Sequence, residues 1–283
     1  MNVYIVILHY GKLETTQKCI DSLAKHDTAF EKIVLINNDD SIQLSSKQFA
    51  IEKKKLHIIN NKKNLGFAAG VNVGIRYALA QNAAYVFLLN NDTIIEKDFL
   101  EKLCAAFLEN KNTGIVGPAI SFYKNGKLTY DLGGNVNLLF GRTHHHEVGA
   151  IPDNCPGNIV TYISGCCMLI KREVFEKTGM FDERFFLYYE DVDFCLRAKQ
   201  TGFLSAVVPS VIIYHELSKA AGKLSAFSVY YQTKSGVLFG GKYCKVKVLN
   251  RAFLFAQSCV IFLKNKQAGI GAFRGLEDGI RLA

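Results

Sequence analysis

The chain opens on a short apolar run, Val3-Tyr4-Ile5-Val6-Ile7-Leu8, that stops at His9-Tyr10-Gly11. A segment of helical period follows at about 12–25, with Leu13, Ile20 and Leu23 on one side. Residues 31–37 and 56–60 repeat the β-rich pattern, and 67–82 reads as a helix. Residues 84–90 form a continuous apolar run, as in a strand covered on both faces. A helix at 97–109 comes next. This alternation predicts a largely parallel sheet with helices on both faces. Gly66, Gly70 and Gly74 are spaced by four, so they line one helix face and permit a close approach there.

The pattern then changes. Residues 114–163 are rich in glycine, carry three of the four prolines and show weak periodicity, which predicts hairpins and long loops over a binding face. A strand at 160–170, a short helix near 172–178, a helix at about 190–202 and a strand at 204–214 restore order, the last ending in His215. Residues 223–264 read as mostly helical, both apolar and basic. The predicted organisation is an α/β catalytic domain over 1–220, with halves of about 1–110 and 111–220, and a helical extension over 221–283.

Polar side chains collect where the strands end. Strand one ends in His9-Tyr10-Gly11 and strand two in Asn37-Asn38-Asp39-Asp40. Strand three ends in Asn60-Asn61, followed by the turn Asn64-Leu65-Gly66-Phe67, and strand four in Asn90-Asn91-Asp92. Asn and Asp favour turns and helix caps on their own account. Four such clusters at the carboxyl edge of one open sheet point instead to a polar ligand site. Asp92 is the metal candidate of this half: a carboxylate with neutral oxygen neighbours suits Mg2+ or Mn2+. The alternative is that it caps a helix beginning near Glu96.

The densest chemistry lies in Phe181–Arg197, FDERFFLYYEDVDFCLR. An Asp193–Arg197 pair at i,i+4 is ordinary helix electrostatics. Glu190 and Asp191 are less ordinary, because they follow directly on Phe185, Phe186, Tyr188 and Tyr189. A carboxylate in an aromatic, partly dry pocket beside another acid has a raised pKa, which suits a general base.

Composition narrows the class. With 49% hydrophobic and 21% charged residues the chain is globular. No run of about 18 apolar residues and no signal-peptide pattern occurs, so the expected location is cytoplasmic. The eight cysteines form no C-x-x-C pair and sit mostly in apolar surroundings, which reads as free buried thiols. The net charge of +9 belongs almost wholly to residues 216–283, with 11 Lys/Arg against 3 Asp/Glu. Such an excess implies an acidic partner such as anionic lipid or a diphosphate-linked substrate. It lies in a helical tail without a nucleic-acid-binding module, which argues against nucleic acid.

Several motifs together resemble the inverting GT-A glycosyltransferases of family two, especially their rhamnosyltransferase-like branch. Phe181–Arg197 resembles the family's FDExFFxYxEDxDxxxR signature. Residues 64–75, NLGFAAGVNVGI, resemble its NxGFxxGxNxGI segment. Leu88–Asp92 resembles its form of the DxD metal motif, and Ser164-Gly165 through Lys171-Arg172 also matches. The resemblance covers about residues 1–216. It implies a donor of the dTDP-sugar or UDP-sugar kind, with dTDP-rhamnose first, and a glycan or polyprenyl-linked acceptor. It also implies a divalent cation, Mn2+ or Mg2+. Residue by residue, it gives Tyr10, Asn37, Asn38, Asn64, Gly66, Asn72 and Asn90 to the donor and Asp92 and His215 to the metal. Asp191 becomes the catalytic base, with Glu190 and Asp193 on the acceptor side. Asn37 and Asn90 depart from the usual aspartates. His215 also fits an ordinary capping or core histidine. The competing function is a catalytically silent nucleotide-sugar-binding or scaffold protein of the same fold.

Other motifs fall away. Gly236 to Tyr243 nearly spells a P-loop, but Tyr243 replaces its Ser/Thr, and no G-x-G-x-x-G is present. His144-His145-His146 reads as a loop over the site. Residues 252–263, bracketed by Lys242, Lys245, Lys247, Arg251, Lys264 and Lys266, span roughly 18 Å as a helix, short of a bilayer core of about 30 Å. They fit either a core helix or an interfacial helix on anionic lipid at the inner face of the cell membrane.

Overall fold

A computed structural model describes residues 2–26, 30–151, 157–216 and 225–283. The first half is β1 (Val3–His9), α1 (Leu13–His26), β2 (Lys32–Asn37), β3 (Leu56–Asn60), α2 (Gly66–Ala80), β4 (Tyr85–Asn90), β5 (Thr93–Ile94) and α3 (Phe99–Glu109). The second half is β6 (Thr113–Lys124), β7 (Lys127–Asn137), β8 (Arg142–Val148), β9 (Asn158–Val160), β10 (Cys167–Lys171), α4 (Arg172–Thr178), α5 (Glu190–Gln200) and β11 (Leu204–His215). Three helices follow: α6 (Ala226–Tyr243), α7 (Lys247–Lys264) and α8 (Lys266–Leu282).

The sheet runs β3-β2-β1-β4-β10-β6-β11-β5. The four strands β3, β2, β1 and β4 pair in parallel, as the alternation predicts, and β11 lies parallel to β6. Between them β10 runs antiparallel to both β4 and β6, so the sheet as a whole is mixed. The period-two alternation of β1 explains the two layers. Tyr4 and Val6 face a core shared with Ile75 of α2 and Phe194 of α5. Val3, Ile5 and Ile7 face a second core with Ile20 and Leu23 of α1 and Phe99 and Leu103 of α3. Burial on both faces is why these strands read as continuous apolar runs.

Helix α2 sits unusually close to β1. A Cβ added at Gly70 would lie 2.6 Å from Leu8 Cδ1, and one at Gly74 2.5 Å from Val6 Cγ1. The middle region holds the expected hairpins with less loop: β6, β7 and β8 form an antiparallel meander, and His144–His146, read as a loop, lie within β8. The proposed boundary at 220/221 and Cys155 lie outside the described residues; Cys19, Cys166, Cys167, Cys195, Cys244 and Cys259 are free thiols. Helix α8 packs along α6 through Gly271, Gly275 and Gly279, where any Cβ would strike α6. Among the described residues no helix is long and apolar enough to cross a membrane.

Candidate active site

The strand ends align as a rim. In register, His9 stands beside Asn37, Asn37 beside Asn60, and Leu8 beside Asn90. Much of that polar chemistry holds the rim together. Asn37, fully buried, donates its amide hydrogens to the Ile42 carbonyl (2.7 Å) and Asn60 Oδ1 (2.8 Å). Asn38 donates to Asn64 Oδ1 (2.9 Å) and the Gly66 carbonyl (3.0 Å), and its own oxygen accepts from Asn61 and the Leu65 amide. Asn72 donates to the Phe181 carbonyl (2.9 Å) and Glu183 (3.0 Å) and accepts from the Phe181 amide (3.1 Å). Of the residues expected to face a donor, Asn37, Asn38, Asn64 and Asn72 are thus committed to internal bonds. Gly66 (φ +80°) gives room to Phe186, whose carbonyl would lie 2.5 Å from an added Cβ. Tyr10 is 60% exposed at the rim, and Asn90 lines the adjoining cleft. Asp39, which sequence reasoning passes over, ties two strand-end loops together by accepting from the Gly11 amide (3.1 Å) and from Ser41.

At the end of β4 the two metal candidates meet. The two-residue strand β5 pairs with the end of β11, setting His215 opposite Thr93. His215 Nε2 and Asp92 Oδ1 lie 3.0 Å apart. Asp92 caps no helix, since α3 starts at Phe99 behind Asp98. Among the described residues no cluster of three or more potential metal ligands occurs. A carboxylate oxygen and an imidazole nitrogen fit Mn2+ better than the oxygen-preferring Mg2+, and either cation leaves positions to water and to phosphate oxygens.

Beside this pair opens a cleft of about 360 Å³, with Asn90, His145, Tyr162, Glu190, Asp191 and His215 in its walls. Asp191 sits in the first turn of α5. One carboxylate oxygen accepts from the Gly165 amide (2.8 Å) and the other from the Val192 amide (2.8 Å), so its plane is fixed. Burial raises its pKa, opposed by those two amides and by the nearby His145. Glu190 is buried, and one of its oxygens has no partner. Burial first, and the Asp191 charge second, push its pKa well up, so of the two acids Glu190 holds its proton the more strongly. Opposite, His145 Nδ1 lies 2.8 Å from Asp131 Oδ2. That hydrogen bond raises the His145 pKa above its ordinary value. The ring also meets Tyr162 edge-on at 5.5 Å. An oriented carboxylate, a second buried acid and an imidazole paired with Asp131 share one cleft, an arrangement that can take a proton from a bound hydroxyl.

A family model described as Glycosyl transferase family 2 matches residues 4–179, from β1 to the end of α4. The chain belongs to glycosyl transferase family 2. It is a nucleotide-sugar glycosyltransferase of GT-A fold with rhamnosyltransferase relatives. It is 29% identical over 248 residues to the dTDP-rhamnosyl transferase RfbF of Shigella flexneri, covering 84% of this chain and 79% of that one. It is 39% identical over 215 residues to the N-acetylglucosaminyl-diphospho-decaprenol L-rhamnosyltransferase of Mycobacterium tuberculosis, covering 68% and 69%. Among solved structures, GalNAc-T7 with UDP, GalNAc and Mn2+ gives a TM-score of 0.66 at 16% identity, over 91% of this chain and half of that one. The mannosyltransferase PcManGT from Pyrobaculum calidifontis, with GDP-Man and Mn2+, gives 0.57 at 11% identity, over 99% and 87%. At these identities the likeness is one of fold.

In this family 2 glycosyltransferase the signature stretch divides its acids by helix face. Glu190 and Asp191 face the cleft. Asp193, expected on the acceptor side, points the other way: it is fully buried and held by Arg197 (2.7 Å), Lys242 (2.5 Å) and Tyr243 (2.8 Å). Its work is to fasten α5 to α6. His145 is the site residue that sequence reasoning missed. In strand period two, Thr143 and His145 share the cleft side, while the His144 and His146 rings pair with each other at 6.2 Å.

Proposed function

We propose that this enzyme transfers a sugar, rhamnose from dTDP-rhamnose first and a UDP-linked sugar as the alternative, to a hydroxyl of a glycan or polyprenyl-linked acceptor in surface polysaccharide assembly. The reaction is a single displacement with inversion. The acceptor oxygen bonds to the anomeric carbon as the bond from that carbon to the diphosphate oxygen breaks. The acceptor proton passes to Asp191, and the nucleoside diphosphate leaves. Glu190, protonated, donates a hydrogen bond on the acceptor side. A divalent cation held by Asp92 and His215 would offset the charge that develops on the leaving diphosphate. The division into a catalytic domain over 1–220 and an extension over 221–283 belongs to the same reading.

The observation that carries it is the Asp191 carboxylate, locked by two backbone amides in a cleft shared with His215 of the metal pair. Asp191→Asn tests it. Donor binding by calorimetry stays near wild type while turnover falls by about a hundred- to ten-thousandfold, the range of general-base contributions. The wild-type product, read by NMR, has inverted anomeric configuration. A retained anomer, or an Asn variant with full rate, refutes the mechanism. A silent scaffold gives no turnover in either protein.

Helix α7 supports a peripheral seat on anionic lipid at the cytoplasmic membrane face. Its buried line is Asn250, Leu254 and Ser258, whereas Val248, Phe255, Val260 and Leu263 are 50–85% exposed. The outward face is thus the more apolar one, bracketed by Lys245, Lys247, Lys264 and Lys266. Lys242 is bonded to Asp182 and Asp193 and takes no part in that bracket.

A further inference from the structure

Strand β8 carries three consecutive histidines, and the transferase reading uses only the middle one. His145 lines the cleft, so in strand period two His144 and His146 stand together on the opposite face. Their ring centroids are 6.2 Å apart and the rings meet edge-on. Asn135, directly across the hairpin from His144, lies on the same face and places its amide nitrogen 3.1 Å from His146 Nε2. Thr161 donates to the Asn135 oxygen (2.8 Å), which fixes the orientation of that amide. An amide nitrogen can only donate, so His146 Nε2 accepts: it carries a lone pair, and the ring proton sits on Nδ1. That is the form in which an imidazole binds a metal. His144 and Asn135 are exposed and His146 is half-buried, so an ion reaches them from solvent.

The surroundings select the ion. The carboxylates close by on β7 and β8 are engaged elsewhere: Asp131 holds His145, and Glu147 pairs with Lys124. Arg142, two residues before His144, has its guanidinium over the Phe253 ring. An oxygen-seeking ion such as Mg2+ thus finds only amide and hydroxyl oxygens on this face, whereas two imidazoles suit Zn2+, Ni2+ or Cu2+. Metal–nitrogen bonds of roughly 2.0–2.1 Å set two such rings roughly 5–6 Å apart, so a small rotation of the exposed His144 ring completes the pair.

We infer that His144 and His146 form a binding site for a nitrogen-preferring divalent cation of the zinc and nickel kind, with the two imidazoles as ligands and water in the remaining positions. The ion takes the His146 lone pair that now meets Asn135. The site differs from the Asp92 and His215 pair in both ligands and ion, and the inference does not depend on the transferase reading. A bound ion ties His144 to His146 behind the residue that the same strand presents to the cleft.

Isothermal titration of the metal-free full chain with NiCl2 tests it. His144→Gln and His146→Gln each lower the Ni2+ affinity of this site at least tenfold, and the double variant loses it. His145→Gln and His215→Gln leave it in place, which separates it from the cleft side of the strand and from the other candidate cation pair. Ni2+ raises the melting temperature of the His215→Gln protein and has no such effect once His144 and His146 are also replaced. MgCl2 at the same concentrations gives no binding that depends on His144 and His146. Full Ni2+ binding in the His144 and His146 double variant, its loss in His215→Gln alone, or equal affinity of this site for Mg2+ overturns the inference.

Discussion

Removing the Asn72 side chain should unfasten the two motifs that build the site. Asn72 lies in α2, is 1% exposed, and clasps Phe181, 109 residues further on, through both its backbone amide and its carbonyl. Asn72→Ala leaves those two backbone groups without partners. A buried polar group so stranded costs about 1–3 kcal/mol, which gives roughly 2–6 kcal/mol for the pair. The third bond, to Glu183, adds little, because that carboxylate is half exposed and water replaces the amide. Water entering the space of the lost amide recovers part of the cost. The expected loss is therefore about 2–4 kcal/mol. Urea denaturation measures it: the midpoint should fall by about 1 M at an unchanged slope. Phe181 begins the stretch that ends at Asp191, so turnover should fall further than donor affinity. A loss below about 0.5 kcal/mol, or an active variant with wild-type rate, would refute the clasp.

Three further outcomes follow from particular side chains. Turnover needs Asp191 ionised, so it rises with pH through the raised pKa of that group; His145→Gln removes the facing imidazole that opposes this shift and moves the rise to higher pH, and an unmoved profile counts against the pairing. The Asp191 charge helps to keep a proton on Glu190, so Glu190→Gln, with an equally neutral side chain, should leave the same limb in place, and a shifted limb would show that Glu190 carries charge. Asn37→Asp sets a buried carboxylate against the Ile42 and Asn60 oxygens, so it should cost roughly 3–5 kcal/mol at pH 8. Its folded pKa lies above its unfolded one, so the loss shrinks as pH falls through the folded value, and equal melting of variant and wild type at pH 8 would contradict the bonding described. Lys245→Glu with Lys247→Glu should abolish flotation on anionic vesicles at low salt, and flotation that ignores both salt and charge excludes an electrostatic seat.

The parallel half of the fold is legible because the same signals recur there: apolar runs of strand length, each followed by polar turn residues. The Gly66, Gly70 and Gly74 spacing reads correctly as a close helix face, and the structure puts Leu8 and Val6 against it. Gly271, Gly275 and Gly279 carry the same four-residue spacing and mark the α8 seam, but a tail read only for charge and hydropathy hides it. Asp191 and Glu190 are legible from their aromatic setting. Asp193 is not, because its face is decided by Lys242 and Tyr243, which are about 50 residues away and arrive only when α6 packs. The role of Asn37 is hidden for a related reason: an amide at a strand end looks the same in sequence whether it meets a ligand or Asn60. His145 needs its strand register and Asp131 across the hairpin before it can be told from its two neighbours.

Helix α5 is entered through two successive tyrosines, Tyr188 (φ 67°) and Tyr189 (φ 69°), in a left-handed conformation that bulky residues rarely hold. What keeps them there comes from outside the loop. Ser235 of α6 donates to the Leu187 carbonyl (2.8 Å), the Tyr189 ring packs on Phe239 of α6 at 5.1 Å, and the Tyr189 hydroxyl bonds to the Gly141 carbonyl (3.3 Å). A strained segment persists only while its surroundings over-determine it. The turn that presents the carboxylates of the signature motif is thus held by a helix, α6, that the motif does not contain. A version of this chain ended near residue 220 would inherit the rim of amides and the two amides on Asp191, and lose the α6 contacts that hold the turn leading into Glu190 and Asp191. Loading and transfer would come apart: the first is built by the sheet, the second leans on a helix from the last quarter of the polypeptide.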